Sequence, residues 1–227
     1  MRGRFYFVGE VTNVLEMLNA LLVIVLVLNL FALGTSRILS VIHIVATQGA
    51  LLGVIPLLLH GRLSLPVVLA ATAAIILKGM AIPAIMIRSL RAAQIKREVE
   101  PMIGLLPSVL LGAFATGFVL LFSKQLPLAG QQIDTLIVPA SISTILVGFI
   151  LLTTRFKALS QVLGYLVLEN GIFIFGMLLV QAIPFIVEMG MFLDLFVGIF
   201  VISIITNHIN QAFSSMDTRW LVSLREE

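Results

Sequence analysis

The fold class this sequence predicts is all-α: a polytopic membrane protein with seven transmembrane helices. Three observations predict it. Hydrophobic residues make up 60% of the 227-residue chain while charged residues make up 11%, less than half the roughly 25% charge of an ordinary soluble domain. The mean hydropathy is +1.16. The apolar residues also gather into runs of about twenty, the length a helix needs to cross about 30 Å of hydrocarbon.

Those runs fall at residues 14–34, 38–59, 65–88, 102–123, 135–153, 159–182 and 188–208. Arg2 and Arg4 precede the first, and Ala32-Leu33-Gly34 loosely imitates a signal-peptidase site. The run is longer than the roughly 7–15 residues of a signal h-region, so it is read as a span and not as a cleaved leader. Prolines stand in four of the runs, and each removes a backbone hydrogen bond and crowds the carbonyl four residues back. Pro107 and Pro139 lie near helix starts, where this costs little; Pro56 would free the carbonyl of Leu52, and Pro83 that of Gly79. The third helix is therefore expected to kink beside Lys78, the only charge in its interior. The hydrophilic stretch from Arg88 to Pro101 reads as a mixed-charge connector beside lipid headgroups, and residues 130–134 as a polar turn. This organises the chain as residues 1–100, a three-helix region with its connector; 101–133, the fourth helix; 134–212, a three-helix unit; and 213–227, a tail. In the tail, Trp220, Leu221 and Leu224 suit a membrane-surface anchor or a docking segment.

Charge decides orientation better than it suggests a nucleic-acid partner. The pI near 9.7 reflects a net charge of only +3, spread over short loops. With seven spans, the side of the C-terminus carries Arg37, Arg88, Arg91, Lys96, Arg97, Arg155, Lys157, Arg219 and Arg225. The other side carries Arg2, Arg4, Arg62 and Lys124. The positive-inside rule then puts the N-terminus outside and the C-terminus in the cytoplasm, for a chain in a cell inner membrane. The absence of cysteine removes disulfides, thiolate-held metals and covalently attached haem.

Apart from Arg88 and Glu188 at run ends, four charged residues fall within the apolar runs: Glu16, Lys78, Glu169 and Asp194. Glu16 is close enough to a helix end to snorkel. A carboxylate at mid-helix costs roughly 2.5–3.5 kcal/mol on insertion scales and is normally turned toward a partner, a cavity or an ion path. Lys78, Glu169 and Asp194 thus offer one base and two acids to the bundle interior, as a proton relay. A buried ion pair that only fixes packing is the structural alternative, but such pairs often gain little once desolvation is counted. Tyr165, Glu169 and Phe173 recur every four residues and share a face, while Gly164 and Gly171 allow another helix to come close. Gly190, Asp194 and Gly198 align in the same way. Asn170, His43, Gln48 and His208 are further relay candidates, with Gln181 and Asn207. The three histidines lie on scattered segments without metal-ligand spacing, and no phosphate loop or hydrolase constellation is present. No metal site, cofactor or autonomous catalytic residue is expected.

Gly164-Tyr-Leu-Val-Leu-Glu169-Asn170-Gly171 resembles the G-Y-x-x-x-E-N-G signature of hydrogenase-4 component E, a membrane subunit of energy-converting [NiFe] hydrogenases and formate hydrogenlyase-like complexes. Glu188-Met-Gly190 followed by Asp194, and the tail Asp217-Thr-Arg-Trp-Leu221, are similar to that family's order of elements. Residues 134–210 further resemble the small three-helix NuoK-like subunit of complex I and the C subunit of Mrp antiporters. There Asp194 takes the place of the second of two buried glutamates. The first would fall at Leu166, and Glu169 lies three residues on, about 4.5 Å along the axis on a similar face. The resemblance implies a proton- or sodium-translocating assembly in which redox chemistry sits on other subunits. It implies antiporter-like membrane subunits, a NuoH-like subunit and a peripheral [NiFe] hydrogenase or related redox module as partners. A bridging subunit without a proton path, or a stand-alone secondary transporter, are the competing functions.

Overall fold

The computed structural model describes residues 2–59, 65–92, 102–125 and 135–179, and all regular structure among them is helical. The helices are α1 (Arg2–Gly34), α2 (Ile38–Leu59), α3 (Leu65–Ile76), α4 (Ile82–Ala92), α5 (Leu105–Phe122), α6 (Ile137–Thr154) and α7 (Ala158–Gly176). A π-helical turn over Leu77–Ala81 joins α3 to α4, so these two read as one broken rod. Among the described residues there are six helical stretches long and apolar enough to cross a membrane, and each overlaps one of the first six runs of the sequence. The seventh run, the connector beyond Ala92 and the tail lie outside the described residues.

Each boundary has a local cause. The helix α1 begins well before its apolar window, Asn13–Gly34, so the expected start at residue 14 marks the membrane boundary and not the helix end. It stops where Thr35 N–H donates back to Phe31 O at 3.1 Å and Thr35 Oγ1 accepts the Arg37 N–H at 3.4 Å, which turns the chain into α2. Gly104, at φ +77°, supplies the left-handed residue that starts α5. Next to it, Met102 N–H donates to Thr154 O at 2.8 Å and ties that corner to the end of α6. Pro107 and Pro139 occupy the third positions of α5 and α6, where a backbone N–H would have no intrahelical partner. At the far end of the bundle, Asn19 Oδ1 accepts the N–H of Leu136 at the start of α6, at 2.9 Å.

Small residues let the helices close on one another. A Cβ on Gly148 would lie 2.5 Å from Leu168 N, one on Gly164 2.6 Å from Leu152 N, and one on Gly171 2.6 Å from Ile145 N. The glycines read from the sequence as a close-approach face are thus the α6–α7 contact. The helix α5 is built inside out: Ser108, Gly112, Thr116 and Val119 are buried, while Leu106, Leu110, Phe114, Phe118 and Leu121 are exposed. This suits a helix whose solvent on one side is lipid. The helix α1 packs on α2, α5 and α6, and α2 packs on α3, α4 and α7. The N-terminal helices therefore share one bundle with α6 and α7, on both sides of the connector.

The core has two apolar layers. One gathers Leu33, Ile38, Ile42, Met86, Leu151 and Leu163 near the end where α2 and α7 begin. The other gathers Leu18, Leu22, Leu52, Ile55 and Ile174 toward the opposite end. Between these layers, on each of the four helices that contribute to both, comes a polar residue: Asn29 on α1, Gln48 on α2, Thr144 on α6 and Asn170 on α7.

Candidate functional site

Lys78 reaches this middle layer because its backbone is unwound. Pro83 cannot donate to the carbonyl of Gly79 and would crowd it. The helix answers with a π turn, in which Ile82 N–H bonds to Leu77 O, five residues back. The expected kink beside Lys78 is thus a widened turn that contains Lys78. That turn is held against α2 by two glycines: a Cβ on Gly49 would lie 2.8 Å from Lys78 Cβ, and one on Gly79 3.2 Å from Ala50 Cβ.

From there the ammonium meets α7. Lys78 Nζ lies 3.1 Å from Glu169 Oε1, donates to Asn170 Oδ1 at 3.3 Å and sits 5.4 Å from the centroid of Phe173, within cation–π range. Both charges are buried, at 9% exposure for the Lys78 side chain and 10% for that of Glu169. Burying each alone would be costly, and burying them together is tolerable because each faces an opposite charge.

The contacts continue through three amides. Asn170 Nδ2 donates to Gln48 Oε1 at 3.2 Å, Gln48 Nε2 to Asn29 Oδ1 at 2.9 Å, and Asn29 Nδ2 to Thr144 Oγ1 at 2.8 Å. Thr144 Oγ1 donates in turn to Ala140 O at 2.7 Å. One buried chain therefore runs from Glu169 and Lys78 across α7, α2 and α1 to α6, where each unpaired buried group would cost about 1–3 kcal/mol.

Of the residues singled out from sequence, Lys78, Glu169, Asn170 and Gln48 come together here. Tyr165, one turn before Glu169, is half-buried and packs against the apolar layer at the α7 start. His43 and Glu16 are exposed and stand apart from the chain of contacts. Asp194 and His208, with Gln181 and Asn207, lie outside the described residues. Leu166 borders a small cavity shared with Lys78 and Asn170.

Asn29 and Thr144 escaped the sequence reading, although a lone Asn amid Leu26-Val-Leu-Asn-Leu-Phe is a polar residue deep in an apolar run. Arg155 escaped it too. Counted as a loop charge, it is buried, and its Nη2 donates to Leu33 O at the end of α1 at 3.0 Å. A cation there complements the negative end of that helix, while burial pushes the guanidinium below its ordinary value.

Chemically, the layer combines one carboxylate and one ammonium that can trade a proton with amides that hold both in place. An uncharacterized protein of Mycobacterium tuberculosis, Rv0085, is 31% identical to the chain over 191 residues, which cover 82% of this chain and 86% of the relative. No family model matches the chain, and no solved structure matches it.

Proposed function

Since the chain belongs to the family of that uncharacterized mycobacterial protein, whose name carries no activity, we propose its function from the buried site: it is a membrane subunit of a proton- or sodium-translocating, energy-converting hydrogenase or related complex I-like assembly. Its part is to contribute Lys78 and Glu169 to the ion relay. The single observation that carries this reading is the Lys78–Glu169 pair, 3.1 Å apart, continued by hydrogen bonds across four helices at mid-bundle. Intramembrane charges of this kind mark ion paths by default.

In this reading Asp194 extends the relay on a seventh span at 188–208, with the N-terminus outside and the C-terminus in the cytoplasm of a cell inner membrane. Antiporter-like and NuoH-like membrane subunits and a peripheral [NiFe] or related redox module are the partners, as the Gly164–Gly171 signature suggests. A small shift of the π turn that lengthens the 3.1 Å contact weakens the attraction between the two buried charges, and redox energy delivered as helix movement can do work on the pair.

The test is Glu169→Gln in the assembled complex, followed in sealed vesicles. Assembly and redox turnover are expected to persist while proton or sodium translocation per turnover falls tenfold or more. If translocation per turnover is unchanged, the subunit is a bridge between its neighbours and the ions pass elsewhere.

A further inference from the structure

The cavity beside Lys78 lies on one side of the polar layer only. Its walls include Ile42 and Val45 from the first two turns of α2, Leu163 and Leu166 from the first half of α7, and Pro83 and Met86 from α4. All of these lead toward the end of the bundle where α2 and α7 begin and α4 runs out, the end that carries Arg37, Arg88 and Arg155. The space open to the centre of a water molecule is about 10 Å³, close to what a single water occupies. The lining is otherwise apolar, and Lys78 and Asn170 are the two residues of it that can bond a water. On the other side of the layer Leu22, Val25, Ile55 and Ile174 are all wholly buried and form a dry seal.

We propose that this cleft between α4 and α7 is an aqueous vestibule, which takes up water and gives the Lys78 ammonium one-sided access to the membrane face of Arg37 and Arg155. It names the side from which the relay proposed above is loaded and rests on that reading for its purpose. Its geometry and its test do not involve transport. Met86 and Leu166 stand along the cleft as its movable walls. Methionine, unbranched and with three rotatable bonds, can swing to admit a second water without moving backbone. Among the described residues, the opposite layer is closed by Leu22, Val25, Ile55 and Ile174, each fully buried.

Two measurements in native membranes or the assembled complex decide it. Hydroxyl radicals generated from water by X-ray radiolysis oxidise side chains that touch ordered water. Met86, 1% exposed, is expected to oxidise at least tenfold faster than Met177, 9% exposed in the opposite layer. Equal rates overturn the vestibule. Because the chain has no cysteine, Val45→Cys can be probed alone in sealed vesicles with silver ion, a thiol reagent close to water in size. Ser36→Cys and Lys124→Cys, exposed at opposite ends, report the two faces. Reaction of Val45→Cys only from the Ser36 face supports the proposal. No reaction, or reaction from the Lys124 face, sinks it. A failure of Glu169→Gln to alter translocation would leave both labelling results standing, so the two readings fail separately.

Discussion

Breaking the charge pair from one side should be far worse than removing it whole. At 3.1 Å and an effective dielectric constant near 20, the attraction is roughly 332/(20 × 3.1), or about 5 kcal/mol before desolvation. Lys78→Met leaves the Glu169 carboxylate buried without its cation, which costs about 3–5 kcal/mol. It also takes from Asn170 Oδ1 the donor it has at 3.3 Å, adding about 0.5–1.5 kcal/mol. Glu169→Leu strands the ammonium in the same way. The double variant buries two apolar side chains of similar size and should come out near neutral, as apolar replacements of buried ion pairs do. Equilibrium unfolding by SDS titration in bicelles can read all four proteins. The expectation is two large single costs and a coupling of about 3 kcal/mol or more, well above the roughly 0.5 kcal/mol scatter of additive sites. A Lys78→Met cost below about 1 kcal/mol with additive effects would refute the reasoning, since the pair would then be solvated.

Further outcomes follow from the same geometry. Gln48→Leu strips the donor from Asn29 Oδ1 and the acceptor from Asn170 Nδ2; at about 1–3 kcal/mol per stranded buried group, it should lower stability by roughly 2–6 kcal/mol in the same titration. Gly171→Val drives a side chain toward Ile145 N, 2.6 Å from an added Cβ, and should cost at least the roughly 1–3 kcal/mol of core overpacking. Gly176→Ala meets nothing within 4 Å and should stay within about 0.5 kcal/mol, so thermal melts of the two variants separate contact from helix propensity.

Glu169 and Lys78 were legible because charge in an apolar run has few explanations, and Gly164 and Gly171 because a seven-residue repeat keeps one helix face. His43 shows where listing polar residues falls short of geometry. It lies five residues from Gln48, which at 100° per residue turns the two about 140° apart, so a buried Gln48 leaves His43 on the outer face. Asn29 could have been found by the same arithmetic, applied to uncharged polar residues in mid-span. The π turn was only half legible. Pro83 signals a defect, but the widened turn that absorbs it sits where Gly49 and Gly79 let α2 press on the backbone, a tertiary fact. Arg155 reads from sequence as a loop cation, and only the fold shows that it plugs the open end of α1. The run from residue 14 coincides with the apolar window Asn13–Gly34, while the helix itself reaches back to Arg2, because hydropathy marks where lipid begins and helix hydrogen bonds continue beyond it.

The buried chain from Lys78 to Thr144 has a sense as well as a path. An ammonium can only give hydrogen bonds, so Asn170 must turn its oxygen toward Lys78, which leaves its nitrogen for Gln48. Gln48 is then obliged to point its own nitrogen at Asn29, and Asn29 at Thr144. Like a row of compass needles set by one magnet, three amides on three helices are aligned by a single proton on Lys78. Were that proton to leave, the amine could accept as well as give, and only the Thr144 hydroxyl, which gives its hydrogen to Ala140 O, would still hold the row to its heading.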